Sequence, residues 1–260
     1  MRSTLLALVA IAVVTPAAAQ TPPAQPYLPK GAAPDATRYL NPPPAKASAE
    51  DKADETAFLA TRKLQGSARW TMAQGDNISA PDAILSDFSC ALGVELNGQN
   101  APALMTLMSR AARDVRPVVD PPKDLFKRPR PFVGTKLAVC VPINDSLANS
   151  ASYPSGHSTT SWALALILSE LVPDRATEVF MRARAYGESR VVCGVHYPSD
   201  VDAGRTSASA LVAVLHSNPE FRADMERARA EIAAARQSAA AATDESQCAI
   251  QNDAGAHRPW

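Results

Sequence analysis

Three short segments of the chain combine residue types that can bind and attack a tetrahedral anion. Residues 123–131 place lysine and arginine among prolines, residues 154–157 read Pro-Ser-Gly-His, and residues 189–200 contain His196 and Asp200. Guanidinium groups bind phosphate oxygens in pairs, and an ammonium group adds a compact positive charge. The segments therefore predict an anion site beside a reactive histidine, although a basic run taken alone would more simply be a solvated surface.

The second segment stands immediately before a long apolar run that predicts a buried helix. Backbone N–H groups at a helix N-terminus are unpaired and lie at the positive end of the helix dipole, so they bind anions. Gly156 would let the backbone approach the anion closely, and the Ser155 hydroxyl could donate as well. An N-cap followed by an incidental histidine is the alternative, and it explains Ser155 better than His157.

His196 and Asp200 are four residues apart, across a turn that Ser199 could convert into a helix start. If one ring nitrogen donates to Asp200, the other nitrogen keeps a lone pair in a defined tautomer. A nucleophilic imidazole needs that arrangement. For this pair alone, a purely structural hydrogen bond is an equally good interpretation.

The elements that must position these residues are predicted to be helices. Ser48 and Asp51 resemble a capping box, and Pro81 and Pro102 each open a further helix. Irregular backbone is expected over residues 116–131, because proline interrupts helices. The predicted apolar faces contain Phe58, Leu59 and Leu64, then Ile84, Leu85, Phe88 and Leu92, then Leu104, Leu107, Met108, Ala111 and Val115.

The second half of the chain continues this helical pattern. Residues 158–172 are apolar on nearly every face, which is typical of the buried centre of a bundle. Asp174 and Ser199 are predicted helix caps, and Asn218-Pro219 begins a last amphipathic helix. Inward faces are predicted at Val179, Phe180, Ala183 and Tyr186, at the small residues Gly204, Ser207, Ala208 and Ala210, and at Phe221, Met225, Ala228 and Ile232. With no convincing alternating strand, the chain is predicted to be all-α, a single-domain helical bundle.

Length and composition agree with one helical domain. The 260 residues can form one substantial core, and aromatic residues make up only 5% of the chain. The 26 Lys and Arg residues balance the 26 Asp and Glu residues, so no strong field favours nucleic acid or an anionic membrane. We therefore expect neither nucleic-acid nor membrane partners.

The first residues have the pattern of a cleavable signal peptide. Arg2 supplies a positive charge, residues 5–14 form an apolar stretch, and Ala17-Ala18-Ala19 is a small-residue cleavage site. The apolar stretch is too short to span a bilayer. We expect a periplasmic or secreted protein.

Four cysteines form an even set in a chain expected to be exported, where disulfides persist. No Cys-x-x-Cys pair is present to suggest a metal site. Among the three pairings, we predict Cys140–Cys193, because each precedes a proposed site segment, and Cys90–Cys248, which would attach the tail to the helix that begins at Pro81.

Together the segments resemble the signature of the phosphatidic acid phosphatase type 2 (PAP2) superfamily. That signature is Lys-x6-Arg-Pro, Pro-Ser-Gly-His and Ser-Arg-x5-His-x3-Asp, and the chain fills every fixed position in this order. Residues 152–157 and 189–200 are most similar to the bacterial class A non-specific acid phosphatases, with Ala151 and Ser158 in place of glycine and threonine. The resemblance runs from about Ser48 to the last amphipathic helix.

The resemblance implies an enzyme that hydrolyses small phosphate monoesters with broad specificity, with phosphotransferase as a side activity. His196 would attack phosphorus and become phosphohistidine, Asp200 would orient it, and His157 would protonate the leaving oxygen and then activate water. The implied phosphate-binding residues are Lys123, Arg130, Ser155, Gly156 and Arg190, with Arg128 behind them. The resemblance also implies a homo-oligomer of PAP2 fold that needs no cofactor and no metal.

Two other functions remain open. A vanadium-dependent haloperoxidase of the same superfamily would bind vanadate through His196, although such enzymes are usually longer. A non-catalytic phosphate-binding module would have no need of an acid at His157. The expected organisation is a signal peptide over 1–19, a Pro/Ala-rich arm over 20–46 that acts as a passive spacer, a catalytic domain over 47–241 and a flexible tail over 242–260.

Overall fold

The structure is a computed structural model that describes residues 24–78, 80–238 and 245–260. The described residues contain helices and no strand, so the predicted all-α fold is confirmed. The predicted signal peptide lies outside them. In chain order the α-helices are α1 (Ala36–Tyr39), α2 (Ala49–Thr61), α3 (Ala68–Gly75), α4 (Pro81–Asp87), α5 (Ser89–Leu92), α6 (Pro102–Arg113), α7 (Arg116–Phe126), α8 (Asp145–Asn149), α9 (Gly156–Leu171), α10 (Ala176–Val192), α11 (Pro198–Leu215), α12 (Pro219–Ser238) and α13 (Glu245–Ala256). Single 3-10 turns occur at Arg62–Leu64 and Pro173–Arg175.

Helix α9 is the centre of the bundle and packs against both α10 and α11. Its apolar residues Leu164, Ile167 and Leu168 are fully buried, as the sequence predicted. Ser155 is the N-cap of α9, because its Oγ accepts a hydrogen bond from the Ser158 N–H at 3.3 Å. The N-terminus of α9 is therefore fixed where the predicted site begins.

Gly204 allows α11 to cross α9 at close range. A Cβ atom at Gly204 would lie 2.7 Å from the backbone oxygen of Ser155, which is closer than real Cβ atoms approach. Beside this crossing, the Ser155 N–H donates to the backbone oxygen of Asp200 at 2.9 Å. Gly204, Ser207 and Ala208 are buried as predicted, whereas Ala210 is half-buried. The close packing at Gly204 joins the start of α9 to the start of α11.

Most of the predicted inner faces of the outer helices are confirmed, but Leu64 and Phe180 are only half-buried. One helix boundary and one residue also differ from the prediction. The helix that begins at Pro81 is interrupted at Phe88, so α4 and α5 replace one longer helix. Leu59 is 54% exposed on α2, which instead buries Asp54 together with Phe58. The buried residues on α4 to α6 and α12 include Ile84, Leu85, Phe88, Leu92, Leu104, Leu107, Met108, Ala111, Phe221, Met225, Ala228 and Ile232.

Helix α7 corrects the expectation of irregular backbone over residues 116–131. Pro121 and Pro122 lie inside the helix although neither has a backbone N–H to donate. Burial of Val118, Val119 and Pro122 against the core offsets those missing hydrogen bonds. The helix ends at Lys127, which has a left-handed φ of 47°. Only the residues after this point form the predicted loop.

Two predicted helix caps are wrong. Asp174 accepts hydrogen bonds from Arg236 at 3.0 and 2.6 Å and does not cap α10. Ser199 is already inside α11, and the carboxylate that accepts from the Tyr197 N–H at 2.8 Å belongs to Asp200. Tyr197 is the N-cap of α11, and Asp200 at the third helical position accepts from the Tyr197 backbone N–H, as in a capping box.

The described part of the Pro/Ala-rich arm packs against the domain. The backbone N–H groups of Tyr27 and Leu28 donate to the two oxygens of Asp114 at 2.8 and 3.1 Å. The Tyr27 hydroxyl donates to Asp224 on α12 at 2.5 Å, and the Arg110 guanidinium lies 3.9 Å from the Tyr27 ring centre. This packing differs from the expected passive spacer.

The structure confirms both predicted disulfides, Cys90–Cys248 and Cys140–Cys193. The first attaches α13 to α5, and α13 also packs against α10 and α3. A loosely structured tail was expected here, so this helix is a difference from the prediction. None of the helices in the described residues is long and apolar enough to cross a bilayer.

Candidate active site

The three predicted segments meet at the N-terminal end of α9. Helix α7 and the loop after it supply Lys123 and Arg130, and the last turn of α10 supplies Arg190. The connection from α10 to α11 supplies His196, and α11 supplies Asp200. Ser155, Gly156 and His157 complete the group at the start of α9, so the chain brings all eight predicted residues to one place.

His196 is 2% exposed and hydrogen-bonded at both ring nitrogens. Its Nδ1 lies 3.3 Å from Asp200 Oδ2, and its Nε2 accepts from Arg130 Nη1 at 3.1 Å. A carboxylate can only accept and a guanidinium can only donate, so Nδ1 carries the proton and Nε2 keeps the lone pair. Burial, reinforced by the Arg130 and Lys123 charges, holds the pKa of His196 well below its usual value.

Asp200 is fully buried and holds His196 in this tautomer. Its Oδ1 accepts from Arg128 Nη1 at 2.6 Å, and its Oδ2 accepts from the Tyr197 N–H. Burial raises the pKa of Asp200, whereas the Arg128 charge and the Tyr197 N–H oppose that rise. The direct ion pair with Arg128 and the donated hydrogen bonds favour the ionised carboxylate.

Arg128, predicted as a cation behind the phosphate-binding residues, is committed to protein acceptors. Its Nη2 donates to Asp54 Oδ2 at 2.8 Å, and its Nη1 donates to Ser199 Oγ at 2.7 Å as well as to Asp200. Its guanidinium carbon lies 4.2 Å from the centre of the Tyr197 ring. Arg128 therefore orients Asp200, and both of its terminal nitrogens donate to acceptors of the protein itself.

Asp54 is a residue that sequence reasoning missed. It lies on α2, far from every motif, and it is 4% exposed. The one available signal is that Asp54 stands four residues before the buried Phe58, so it shares the inward face of α2. A buried carboxylate requires a partner, and here the partner is Arg128.

Arg190 is 1% exposed, with few protein partners. Its Nη1 donates to the side-chain oxygen of Asn77 at 3.0 Å, and its Nε has no hydrogen-bond partner in the described part of the chain. Burial lowers the pKa of Arg190 to about 10, which leaves the group charged at neutral pH. A buried guanidinium with spare N–H groups is suited to an anionic ligand.

Arg130 and Lys123 lie against the residues that directly follow α8. Arg130 donates to Ser150 and, from Nη1, to the Val195 carbonyl at 2.9 Å. Lys123 Nζ donates to the Ala151 carbonyl at 2.5 Å. Burial and the neighbouring Arg130 lower the pKa of Lys123 to about 8. These neutral partners hold both cations in place without neutralising their charge.

His157 is half-buried at the start of α9, and its Nε2 lies 3.0 Å from the backbone oxygen of Asn77. Because a carbonyl can only accept, Nε2 carries the proton and Nδ1 has the lone pair of the neutral ring. Burial and the Arg190 charge lower the pKa of His157 to about 3.

The residues just before His157 leave room and one donor for an anion. Ser155 Oγ accepts from Ser158 Oγ at 2.9 Å, which leaves the Ser155 hydroxyl proton for another acceptor. A Cβ atom at Gly156 would meet only ordinary contact at 3.9 Å. The protein's own packing therefore does not require glycine at 156, whereas close approach of an anion would.

Ser189, the first residue of the third motif, faces away from this group. Its hydroxyl donates to Asp76 Oδ2 at 2.5 Å, and Asp76 also accepts from Arg182 at 2.5 Å. Sequence reasoning missed Asp76 and Asn77, although Gly75-Asp76-Asn77 has the composition of a turn. Within the described residues, no group of three or more His, Cys, Asp or Glu side chains could hold a metal ion.

Comparison with known proteins identifies the family of the chain. The sequence pattern of the PAP2 superfamily matches residues 103–223. The chain is 41% identical over 221 residues to the acid phosphatase of Zymomonas mobilis subsp. mobilis, with 85% of this chain and 83% of the relative covered. It is 36% identical over 209 residues to the non-specific acid phosphatase of Providencia stuartii, with 80% of this chain and 84% of the relative covered.

A transmembrane PAP2-type phosphatidylglycerolphosphate phosphatase from Bacillus subtilis is 22% identical, with a TM-score of 0.46 over 67% of this chain and 88% of that one. The family assignment rests on the two acid phosphatases, which are more than one third identical to this chain over most of its length and most of their own. The chain belongs to the PAP2 superfamily and, within it, to the bacterial non-specific acid phosphatases.

Proposed function

We propose that this protein is an acid phosphatase that hydrolyses phosphate monoesters with broad specificity through a phosphohistidine on His196. The observation that carries the proposal is an uncompensated positive charge around a neutral nucleophile. Within the described residues, the hydrogen-bond partners of Lys123, Arg130 and Arg190 are carbonyl, hydroxyl, amide and imidazole groups, none of them a carboxylate. A phosphate dianion would supply the missing negative charge, and its oxygens would accept the spare N–H donors.

In the first step, the Nε2 lone pair of His196 attacks phosphorus. Arg130 must move its N–H from Nε2 to a phosphate oxygen as the new P–N bond forms. The bond from phosphorus to the leaving oxygen breaks, and His157 gives that oxygen a proton. Asp200 stabilises the positive charge that develops on the His196 ring, because it already accepts from Nδ1.

In the second step, the neutral His157 accepts a proton from a water molecule that attacks phosphorus. The P–N bond breaks, His196 recovers its lone pair and inorganic phosphate leaves. The cations and the helix N-terminus stabilise the equatorial oxygens in both steps, so the scheme uses no metal. An alcohol at high concentration can replace water, which gives the phosphotransferase side activity.

The leaving group would lie in a cavity of about 240 Å³ beside His157. Its other lining residues include Val115, Val119 and Thr160, together with the exposed Arg116. The valine side chains offer no hydrogen bonds, so few of the lining residues can select a particular leaving group. This lining supports broad specificity for the alcohol part of the substrate.

We also propose that the protein is exported and forms a homo-oligomer. The signal-peptide pattern and two disulfides are consistent with an oxidising compartment. The exposed apolar side chains of Leu125, Val133, Leu137 and Ile143 offer surface for self-association.

Hydrolysis of p-nitrophenyl phosphate by the purified protein tests the proposal. We expect turnover that persists in EDTA and is inhibited by vanadate. Loss of activity on chelation, with recovery on addition of a divalent ion, would contradict the mechanism. A parallel assay with vanadate, halide and peroxide tests the haloperoxidase alternative, for which we expect no halide oxidation. Phosphate binding without turnover in either assay would identify a binding module.

A further inference from the structure

Asn77 contacts two of the residues proposed to act on the phosphate. Its backbone oxygen lies 3.0 Å from His157 Nε2, and its side-chain oxygen accepts from Arg190 Nη1 at 3.0 Å. The two contacts use different atoms of one residue. The spacing between the proposed acid and the proposed phosphate-binding cation is therefore set by a single peptide unit and its side chain.

The turn that contains Asn77 is fixed to α10 on both sides. Before it, Asp76 accepts from Ser189 Oγ and from Arg182, all of them buried. After it, the next backbone oxygen accepts from the Tyr186 hydroxyl at 2.7 Å. Because these partners lie on the helix that also contributes Arg190, the turn and the guanidinium keep a constant separation.

The contact to His157 selects which ring nitrogen can react. The Asn77 carbonyl holds the proton on Nε2, so the nitrogen that exchanges a proton with the leaving group is Nδ1. Asp200 has the opposite effect on His196, where it holds the proton on Nδ1 and leaves Nε2 to react. The two histidines are thus oriented through different nitrogens, one by a neutral carbonyl and one by a carboxylate.

The contact to Arg190 fixes the plane of its guanidinium. Asn77 supplies the hydrogen bond to Nη1, and Nε has no partner in the described residues. Without the amide, the guanidinium could rotate away from the direction in which its remaining N–H groups meet an anion.

From these contacts we propose that Asn77 is a positioning residue for both His157 and Arg190, and that it imposes the Nε2–H tautomer on His157. The proposal rests on the proposed function, since it concerns the same site. It adds a residue outside the three motifs and assigns the reactive atom of the acid.

The part of the proposal that concerns Arg190 is tested by the binding of inorganic phosphate, measured by isothermal titration calorimetry. This measurement needs no turnover. Asn77→Ala should weaken phosphate binding about tenfold, the typical effect of one hydrogen bond to a charged group. In an Arg190→Ala background the same change should alter binding by less than about twofold, because the two residues act as one unit. Gln74→Ala, at an exposed position on α3, is the matched control and should bind like the unaltered protein. An equal loss in both backgrounds, or no loss in either, overturns this half.

The part of the proposal that concerns the His157 tautomer is tested on the unaltered protein, so a misfolded variant cannot obscure the result. Nitrogen-15 NMR of histidine-labelled protein at neutral pH should show the Nε2–H tautomer for His157 and the Nδ1–H tautomer for His196, with signals assigned from the His157→Ala variant. An Nδ1–H tautomer at His157 overturns the proposal. Failure to hydrolyse p-nitrophenyl phosphate would instead count against the proposed function, while the tautomer and the binding cycle would still decide the role of Asn77.

Discussion

Arg128 donates to Asp200 Oδ1 at 2.6 Å, so the carboxylate that orients His196 is itself held by a guanidinium. Asp54 accepts from the other side of that guanidinium at 2.8 Å. All three groups are buried, and each one lowers the cost of burying its neighbour. The orientation of the proposed nucleophile therefore depends on α2 and on the loop after α7, as well as on its own segment.

Arg128→Met should destabilise the fold by about 3 to 5 kcal/mol, because it leaves Asp54 and Asp200 buried without their shared partner. The free energy of unfolding in urea measures this loss. Arg116→Met is the matched control, since Arg116 is exposed and its one ion pair among the described residues is with Asp120. We expect a change below about 0.5 kcal/mol for this variant. Similar losses in the two variants would show that the buried pairs contribute nothing specific.

His196→Ala should abolish turnover while phosphate binding through Lys123, Arg130 and Arg190 persists. Asp200→Asn should keep the fold but slow turnover by about 10⁴-fold, because the imidazole loses its orienting charge and its tautomer is no longer fixed. Rapid quenching without acid, followed by peptide mapping, should place the label from substrate on the peptide that contains His196. Inversion at a chiral phosphate, which indicates a single displacement, would rule out a covalent intermediate.

His157→Ala should reduce activity most on substrates with poor leaving groups. An alkoxide needs a proton as its bond to phosphorus breaks, whereas a nitrophenolate departs with little help. General acid catalysis contributes roughly 10²- to 10⁴-fold, so the loss in kcat/KM should reach that range for alkyl phosphates and be smaller for p-nitrophenyl phosphate. If the two substrates lose equal activity, His157 has a structural role only.

Activity should rise as the pH falls below neutrality. Burial and Arg190 lower the pKa of His157 to about 3, so its protonated fraction grows as the pH falls towards that value. The pKa of His196 is also held well below its usual value, which keeps its Nε2 unprotonated at the same mildly acidic pH. The profile of kcat/KM against pH should show an acidic optimum that His157→Ala abolishes. An optimum well above neutrality would reverse the assignment of acid and nucleophile.

Replacing both Cys90 and Cys248 with alanine should cost about 2 to 5 kcal/mol of stability, because the disulfide closes a loop across 158 residues of sequence. Thermal unfolding of the double variant measures the loss. Helix α13 should separate from α10 before the rest of the bundle unfolds, as hydrogen exchange can detect. An unchanged melting temperature together with protected α13 amides would show that packing alone holds this helix.

The sequence alone was sufficient to predict that the residues of the fixed motifs would lie together, and to predict the helices that have a clear apolar face. His157, His196 and the cations follow from spacing, and the buried faces of α4, α6 and α12 follow from periodicity. Asp54 and Asn77 could not be found in this way. Both reach the site through tertiary packing, and neither has a neighbour in sequence that shares its role.

Local rules also failed where a longer-range contact was stronger. Pro121 and Pro122 indicated a break in the helix, yet burial of the apolar face of α7 outweighs their missing N–H groups. Aspartate is a common N-cap residue, but the Asp174 carboxylate accepts a hydrogen bond from Arg236 on α12 instead. In each case the deciding partner is distant in sequence, so a local window does not contain it.

The docking of Tyr27 on α12 has a consequence for how the molecule is made. Synthesis proceeds from the N-terminus, and Tyr27 emerges almost 200 residues before its acceptor Asp224, with which it has a sequence separation of 197. Cys90 is likewise synthesised 158 residues before Cys248, its disulfide partner. A nascent chain that stops short of α12 lacks both the acceptor of the Tyr27 hydroxyl and the disulfide partner of Cys90. The N-terminal segment and α5 can therefore reach their final contacts only after α12 and α13 have been synthesised.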